Sequence, residues 1–232
     1  EEIIKKLNPS HIITQAQCDV CAVSLKDVEL MVQNWTGTDT KVISLKPDSL
    51  ENIWDDIALI AKSLSAEGQG IITINKLKTR MAEINDKSAL LSNKPKIACI
   101  EWIDPLMAAG NWVPELVQMA GGINLLGQAG KHSPWMSIQE LIDSDPDKII
   151  IMPCGFDIPR IKVEMNPLLK SKDFMGLTAV KNNEVYVTDG NQYFNRPGPR
   201  IVESLQIFAE IFHPSHFDFG FEGSGWEKYN CY

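Results

Sequence analysis

Apolar residues along this chain come in two rhythms: short β-branched runs, and longer stretches in which they recur at helical spacing. Their alternation predicts an α/β fold. Glu1 to Leu7 reads as a short helix ending at Asn8-Pro9, and Ser10-His-Ile-Ile-Thr14 as a strand. A helix followed directly by a strand is the second half of a strand–helix–strand unit. The N-terminal lobe is therefore expected to be incomplete, without its first strand and helix. Gln15 to Cys21 forms a loop. A helix is predicted from Ser24, with Asp27 three residues on and Val28, Met31 and Val32 on one face. Thr40 to Leu45 is the next strand, and Ser49 caps a helix that gathers Ile53, Trp54, Ile57, Ile60, Ala61 and Leu64 on one side.

A helical pattern then runs from Gln69 to about Asn93, carrying Ile71, Ile72, Ile74, Leu77, Met81, Ile84, Leu90 and Leu91. Its length and its place between two α/β runs predict a connector between two lobes; the alternative is an ordinary crossover helix within one continuous sheet. The second run opens with the strand Lys96–Trp102 and the loop Ile103–Gly110. A helix follows, with Asn111 as N-cap and Pro114 in its first turn, stopping at Gly121-Gly122. Ile123–Leu126 reads as a short strand, and Gly127–Ser133 as a polar loop with His132. Ser137-Ile-Gln-Glu140 matches a capping box. Lys148–Met152 is apolar without alternation, as a strand covered on both faces would be. Ile158–Leu169 is predicted helical with Pro167 near its close, Glu184–Val187 is a strand, and Arg200–Phe212 is a helix. From His213 onward no period is visible, so the tail is expected to be irregular, with His213 and His216 at the surface. The predicted fold is two Rossmann-like lobes joined by a single long helix. Its parts are an N-terminal lobe over 1–68, the connecting helix over 69–93, a C-terminal lobe over 94–214 and a tail over 215–232.

Composition narrows the function classes. A net charge of −8 in 232 residues, with no Lys/Arg-rich stripe, argues against a nucleic-acid partner. No apolar run approaches the roughly 18 residues needed to span a bilayer. Glu1-Glu-Ile-Ile-Lys-Lys6 lacks the apolar core of a signal peptide, which leaves a cytoplasmic location open. Five cysteines are too few and too scattered for a disulfide scaffold.

Candidate chemistry collects in the loops at the carboxyl ends of the predicted strands, where open α/β sheets bind ligands. Those loops hold Gln15, Gln17, Cys18, Trp102, Trp135, Phe156, Tyr193, Phe194, Asn195 and Arg196. Aromatics mixed with a few amides and charges suit a flat, amphipathic organic ligand, bound by stacking and by edge hydrogen bonds. Any single Trp here is as well explained as core filler; it is the recurrence over several loops that points to a site. Cys18 and Cys21 form a Cys-x-x-Cys pair, which supplies two ligands where structural zinc needs four, so no metal site is expected, while thiol redox chemistry stays open. No nucleophile elbow and no phosphate-cradling glycine loop is present, and the chain is not expected to be an enzyme.

Pro134-Trp135 with Ser137–Glu140, Asp145-Pro146-Asp147 with the strand after it, and Tyr193-Phe194-Asn195-Arg196-Pro-Gly-Pro-Arg-Ile201 together resemble the second lobe of the periplasmic cobalamin-binding protein family. These are the substrate-binding proteins of ABC importers for cobalamin and iron–siderophore complexes. Asn8–Ile13, Cys18–Ser24 and Ile100–Leu106 resemble the same family, so the likeness covers nearly the whole chain up to Pro214. The resemblance implies two lobes on one long helix with limited closure, and a cobalamin or related corrinoid held between them as transported ligand rather than cofactor. It further implies a monomer docking on a membrane permease through one exposed acid per lobe, and a periplasmic or cell-envelope location. Capture is then expected by stacking on Trp102, Trp135 and Tyr193 or Phe194, with Gln15, Gln17 and Arg196 as polar contacts. Iron–siderophore or heme cargo is the alternative within the family, and a Cys-x-x-Cys redox protein is the alternative outside it. One departure stands out: Asn195 is neutral where related cobalamin binders carry an acid.

Overall fold

His11–Gln15 (β1) and Lys41–Leu45 (β2) pair in parallel, His11 opposite Lys41 and Gln15 opposite Leu45, as the sheet of the first lobe in a computed structural model that describes residues 2–15 and 40–232. Glu2–Leu7 (α1) precedes this sheet, and Leu50–Ser63 (α2) follows it. Ser49 caps α2 by accepting the Asn52 N–H at 3.3 Å, as its position before an apolar-periodic run requires. Glu67–Ala89 (α3) is the long helix. Gly70, Leu77, Met81, Ile84 and Ser88 form its buried stripe, whereas Ile71 and Ile72 point to solvent at 60% and 62% exposure. The stripe is thus narrower than the run of isoleucines predicts. At Gly70 a Cβ would lie 2.5 Å from that of Ala61, so only glycine lets α2 and α3 pack this closely.

The second lobe is built on a mixed sheet of six described strands: Lys96–Trp102 (β3), Met107–Ala108 (β4), Ile123–Asn124 (β5), Lys148–Ile151 (β6), Val185–Thr188 (β7) and Trp226–Lys228 (β8). β5, β3, β6 and β7 run parallel, with antiparallel β4 and β8 on the two edges. Helices Val113–Met119 (α4), Ile138–Ser144 (α5), Ile158–Glu164 (α6), Asn166–Lys170 (α7), Lys172–Gly176 (α8), Thr178–Lys181 (α9) and Ile201–Phe212 (α10) cover the faces. Alternation along the strands sends Ile97, Cys99, Ile150 and Met152 to one apolar cluster and Ala98, Ile100, Ile149 and Ile151 to the other. That is why the parallel strands read as unbroken apolar runs. The first cluster does not stop at the lobe boundary. It includes Leu50, Ile53 and Trp54 of α2 and Leu77, Met81 and Ile84 of α3 together with Val113, Leu116 and Phe208, so the lobes share one core at the back.

The structure corrects several local expectations. The tail is not irregular: β8 pairs with β7, and Phe217 and Trp226 are buried. Buried Glu210 of α10 organises it by accepting the Phe221 N–H at 3.3 Å, the Trp226 indole N–H at 2.7 Å and the Phe219 N–H. His213 is buried rather than at the surface. Desolvation, with the Lys94 charge second, holds its pKa below the usual imidazole value. The helix expected over Ile158–Leu169 is two helices, with Pro167 in the first turn of the second, where its missing N–H is harmless. Asn111 sits at φ 53° and is no N-cap; Trp112 occupies that position. The capping box at Ser137 and Glu140 is complete. No helix among the described residues is long and apolar enough to cross a membrane.

Candidate functional site

Where the carboxyl ends of β1 and β2 face the loop after β7, the lobes enclose a cleft of about 640 Å³. Its first-lobe wall is Gln15, Leu45, Pro47 and Asp56; its second-lobe wall is Asn191, Gln192 and the run Arg196-Pro197-Gly198-Pro199-Arg200. The two arginines stand just before α10, so their charge adds to the positive end of that helix. Across from them, Asp56 has its pKa raised by burial and by neighbouring Asp55.

The second-lobe wall is held by its own backbone and side chains. Asp189 closes an Asx turn, accepting the N–H groups of Asn191 at 3.0 Å and Gln192 at 2.8 Å, and the Gln192 side-chain amide at 3.0 Å. Gly190 passes so close to Pro153 that a Cβ would lie 2.2 Å from its carbonyl oxygen. The Arg196 guanidinium is forked onto Asn191: Nε donates to its carbonyl at 2.8 Å and Nη2 to its Oδ1 at 2.9 Å. Its orientation is thereby set before any ligand arrives.

Of the sequence-predicted residues, Gln15 and Arg196 line this cleft. Gln17 and Cys18, with Cys21, lie outside the described residues, and the redox reading with them. Phe194 is a correction: it is 0% exposed, at φ 57°, with its ring 4.7 Å from that of Phe208, its N–H on the Ser204 hydroxyl and its carbonyl on the Trp112 indole N–H. Its ring is a core residue and cannot stack on a ligand. Asn195 has a structural task, its amide donating to the carbonyls of Met152 at 3.0 Å and Gly190 at 3.3 Å. A carboxylate here would have no N–H to offer them, which gives a local reason for the neutral residue. Tyr193 is half-buried, edge-on to Phe221 at 5.7 Å. Desolvation first, then Asp189 and Glu203, push its phenol pKa up against the opposing pull of Arg200.

Trp102, Phe156 and Trp135 form a ledge beside the cleft rather than a wall of it. The Trp102 and Phe156 rings are 5.2 Å apart, and the Arg160 guanidinium lies 5.0 Å from the Phe156 ring centre. The Phe156 carbonyl accepts the Asn191 N–H at 3.1 Å, which joins the ledge to the cleft. Trp135 is 61% exposed and bridges to Met107. Below the ledge, the Ser133 hydroxyl donates to Glu101 at 2.6 Å and accepts the Gly110 N–H at 3.0 Å. Burial raises the Glu101 pKa, while Ser133, His132 and Gly110 offset part of that rise. Sequence reasoning missed Leu45, Pro47 and Asp56, and among its candidates did not include Asn191, Gln192 or Arg200. The strand-end rule covers the first two, but neither is aromatic or polar, and Asp56 is set by the turn of α2. Among the described residues, no group of acids, histidines and cysteines could hold a metal ion.

A family model described as "Periplasmic binding protein" matches residues 2–192. Among curated proteins, the chain is similar to the "High-affinity heme uptake system protein IsdE" of Staphylococcus aureus, 23% identical over 188 residues, which cover 80% of this chain. The chain spans 61% of that protein's length. Among solved structures, S. aureus IsdE complexed with heme superposes with a TM-score of 0.74 at 20% identity, over 91% of this chain and 80% of that one. A periplasmic solute binding protein from Veillonella parvula superposes with a TM-score of 0.65 at 25% identity, over 94% of this chain and 64% of that one.

Proposed function

The chain belongs to the periplasmic binding protein family, and on that premise we propose that it is the substrate-binding component of an ABC-type importer, carrying an anionic metal chelate of the heme type between its lobes. The observation that carries this reading is the pair of arginines on the second-lobe wall of the cleft. Arg196, fixed by Asn191, and Arg200 stand together at the start of α10, in a space of about 640 Å³. That volume falls within the roughly 300–1,000 Å³ of single small-molecule sites. Two guanidiniums suit two peripheral carboxylates, such as the propionates of a heme, because each can pair bidentately. The described walls contain no imidazole, thiol or thioether. Recognition of the cargo by these walls therefore works on its periphery. The similarity to a heme uptake protein favours the same cargo.

Such a protein acts by holding and releasing its ligand, and the partner this role implies is a membrane permease of the cell envelope. Absorbance titration with hemin tests the cargo. Saturable binding with a Kd of about 1 μM or tighter is expected, about −8 kcal/mol or better. No spectral change at about 100 μM hemin, with the protein demonstrably folded, contradicts it. A corrinoid is the second reading, favoured by the cleft amides Gln15, Asn191 and Gln192, which match the amide-rich rim of a corrin. Calorimetric titration with cyanocobalamin separates the two.

A further inference from the structure

We propose that the seven-residue helix α4 is the post that fixes the two walls of the cleft relative to each other, with Glu115 and Trp112 as positioning residues. This rests on the reading of the cleft as the cargo site.

The post reaches both walls through side chains. Toward the first lobe, the Glu115 carboxylate accepts the Leu50 N–H at 2.9 Å. That N–H is one of the four that any helix leaves unpaired at its start. Ser49 already serves Asn52, and the group that takes Leu50 comes from the other lobe. Asp56, farther along the same helix, lines the cleft. Toward the second lobe, the buried Trp112 indole donates to the Phe194 carbonyl at 2.7 Å. Phe194 lies two residues before Arg196, and its own N–H is held by Ser204.

The post itself has little freedom. Val113, Leu116 and Val117 are buried in the core that the lobes share. A close-packed interior of this kind transmits a displacement rather than absorbing it. Tilting α4 would therefore move the Asp56 wall and the Arg196 wall together, and losing either hydrogen bond would loosen α4 and, through it, both walls.

Hydrogen exchange and hemin titration on Glu115→Ala, Glu115→Gln and Trp112→Phe test this. In Glu115→Ala, exchange at the Leu50 amide and at the Phe194 amide should both quicken about tenfold, and hemin should bind about tenfold more weakly. Glu115→Gln keeps an acceptor oxygen and should return both readouts to within about threefold of wild type. Trp112→Phe deletes the indole N–H and should give the same coupled acceleration from the Phe194 side. A change confined to Leu50 with hemin affinity intact would reduce Glu115 to a helix cap and overturn the proposal, as would Glu115→Gln behaving like Glu115→Ala. Should wild type itself take up no hemin, the cargo reading fails, and the exchange data alone decide: coupled acceleration supports the post, acceleration at Leu50 only overturns it.

Discussion

Among the described residues the two lobes meet at the back and at the front, and the meetings have opposite characters. At the back, Leu50, Ile53 and Trp54 join Leu77, Met81, Val113, Leu116 and Phe208 in one apolar cluster. At the front, Gln15 and Asp56 face Asn191, Arg196 and Arg200 across an open cleft. The back resembles the inside of a single domain, while the front is polar and preorganised by Asp189 and Asn191. Stability and recognition are thereby assigned to different surfaces, and substitutions should separate them.

The largest effect is expected at the back. Met81→Ala empties a buried position on α3 and should cost about 3 kcal/mol in denaturant unfolding, with hemin affinity of the folded protein unchanged. Glu210→Ala leaves three N–H groups of the tail without their acceptor. It should cost about 2–3 kcal/mol and alter the near-UV circular dichroism of Trp226. At the front the pattern reverses. Arg196→Gln should weaken hemin about tenfold while unfolding free energy shifts by less than about 0.5 kcal/mol. Asn191→Ala removes the Oδ1 prong of the fork while keeping the backbone carbonyl, and should weaken hemin about threefold. Its effect should shrink when Arg196 is already replaced, as coupled positions do.

The smallest effect is a pH dependence. The His213 pKa is depressed in the folded chain, so between its folded value and the ordinary 6.5 the unfolded chain binds more protons. Stability should therefore be full above about pH 6.5 and fall as pH drops through the folded value. His213→Gln should flatten that part of the stability–pH curve. An unchanged slope would mean that other groups set it.

Most of the layout was legible because it rests on periodicity and punctuation. The apolar run Lys148–Met152, the capping box at Ser137 and the α/β alternation each express a local rule that the packed protein obeys. What escaped depends on long-range partners. β8 is three residues long and exists because Glu210 and Val185–Thr188 hold it in place; three residues carry no readable period. Tyr193 and Phe194 are adjacent in a loop, and only the left-handed turn at Phe194 decides which ring enters the core. Trp102 closes β3 and Phe156 stands in the loop after β6, yet they meet each other and the cleft wall passes to Asn191. The first-lobe wall was the least legible, since Leu45 and Pro47 have nothing in their chemistry to mark them as lining a site.

Selection of a doubly carboxylated cargo by the paired arginines is the property on which the proposed function turns. Its most direct test compares hemin with hemin dimethyl ester, in wild type and in Arg196→Gln/Arg200→Gln. Wild type should prefer the free acid by about a hundredfold, two charge-assisted contacts of about 1.4 kcal/mol each, and the double variant should lose most of that preference. Equal binding of acid and ester by wild type would contradict the claim.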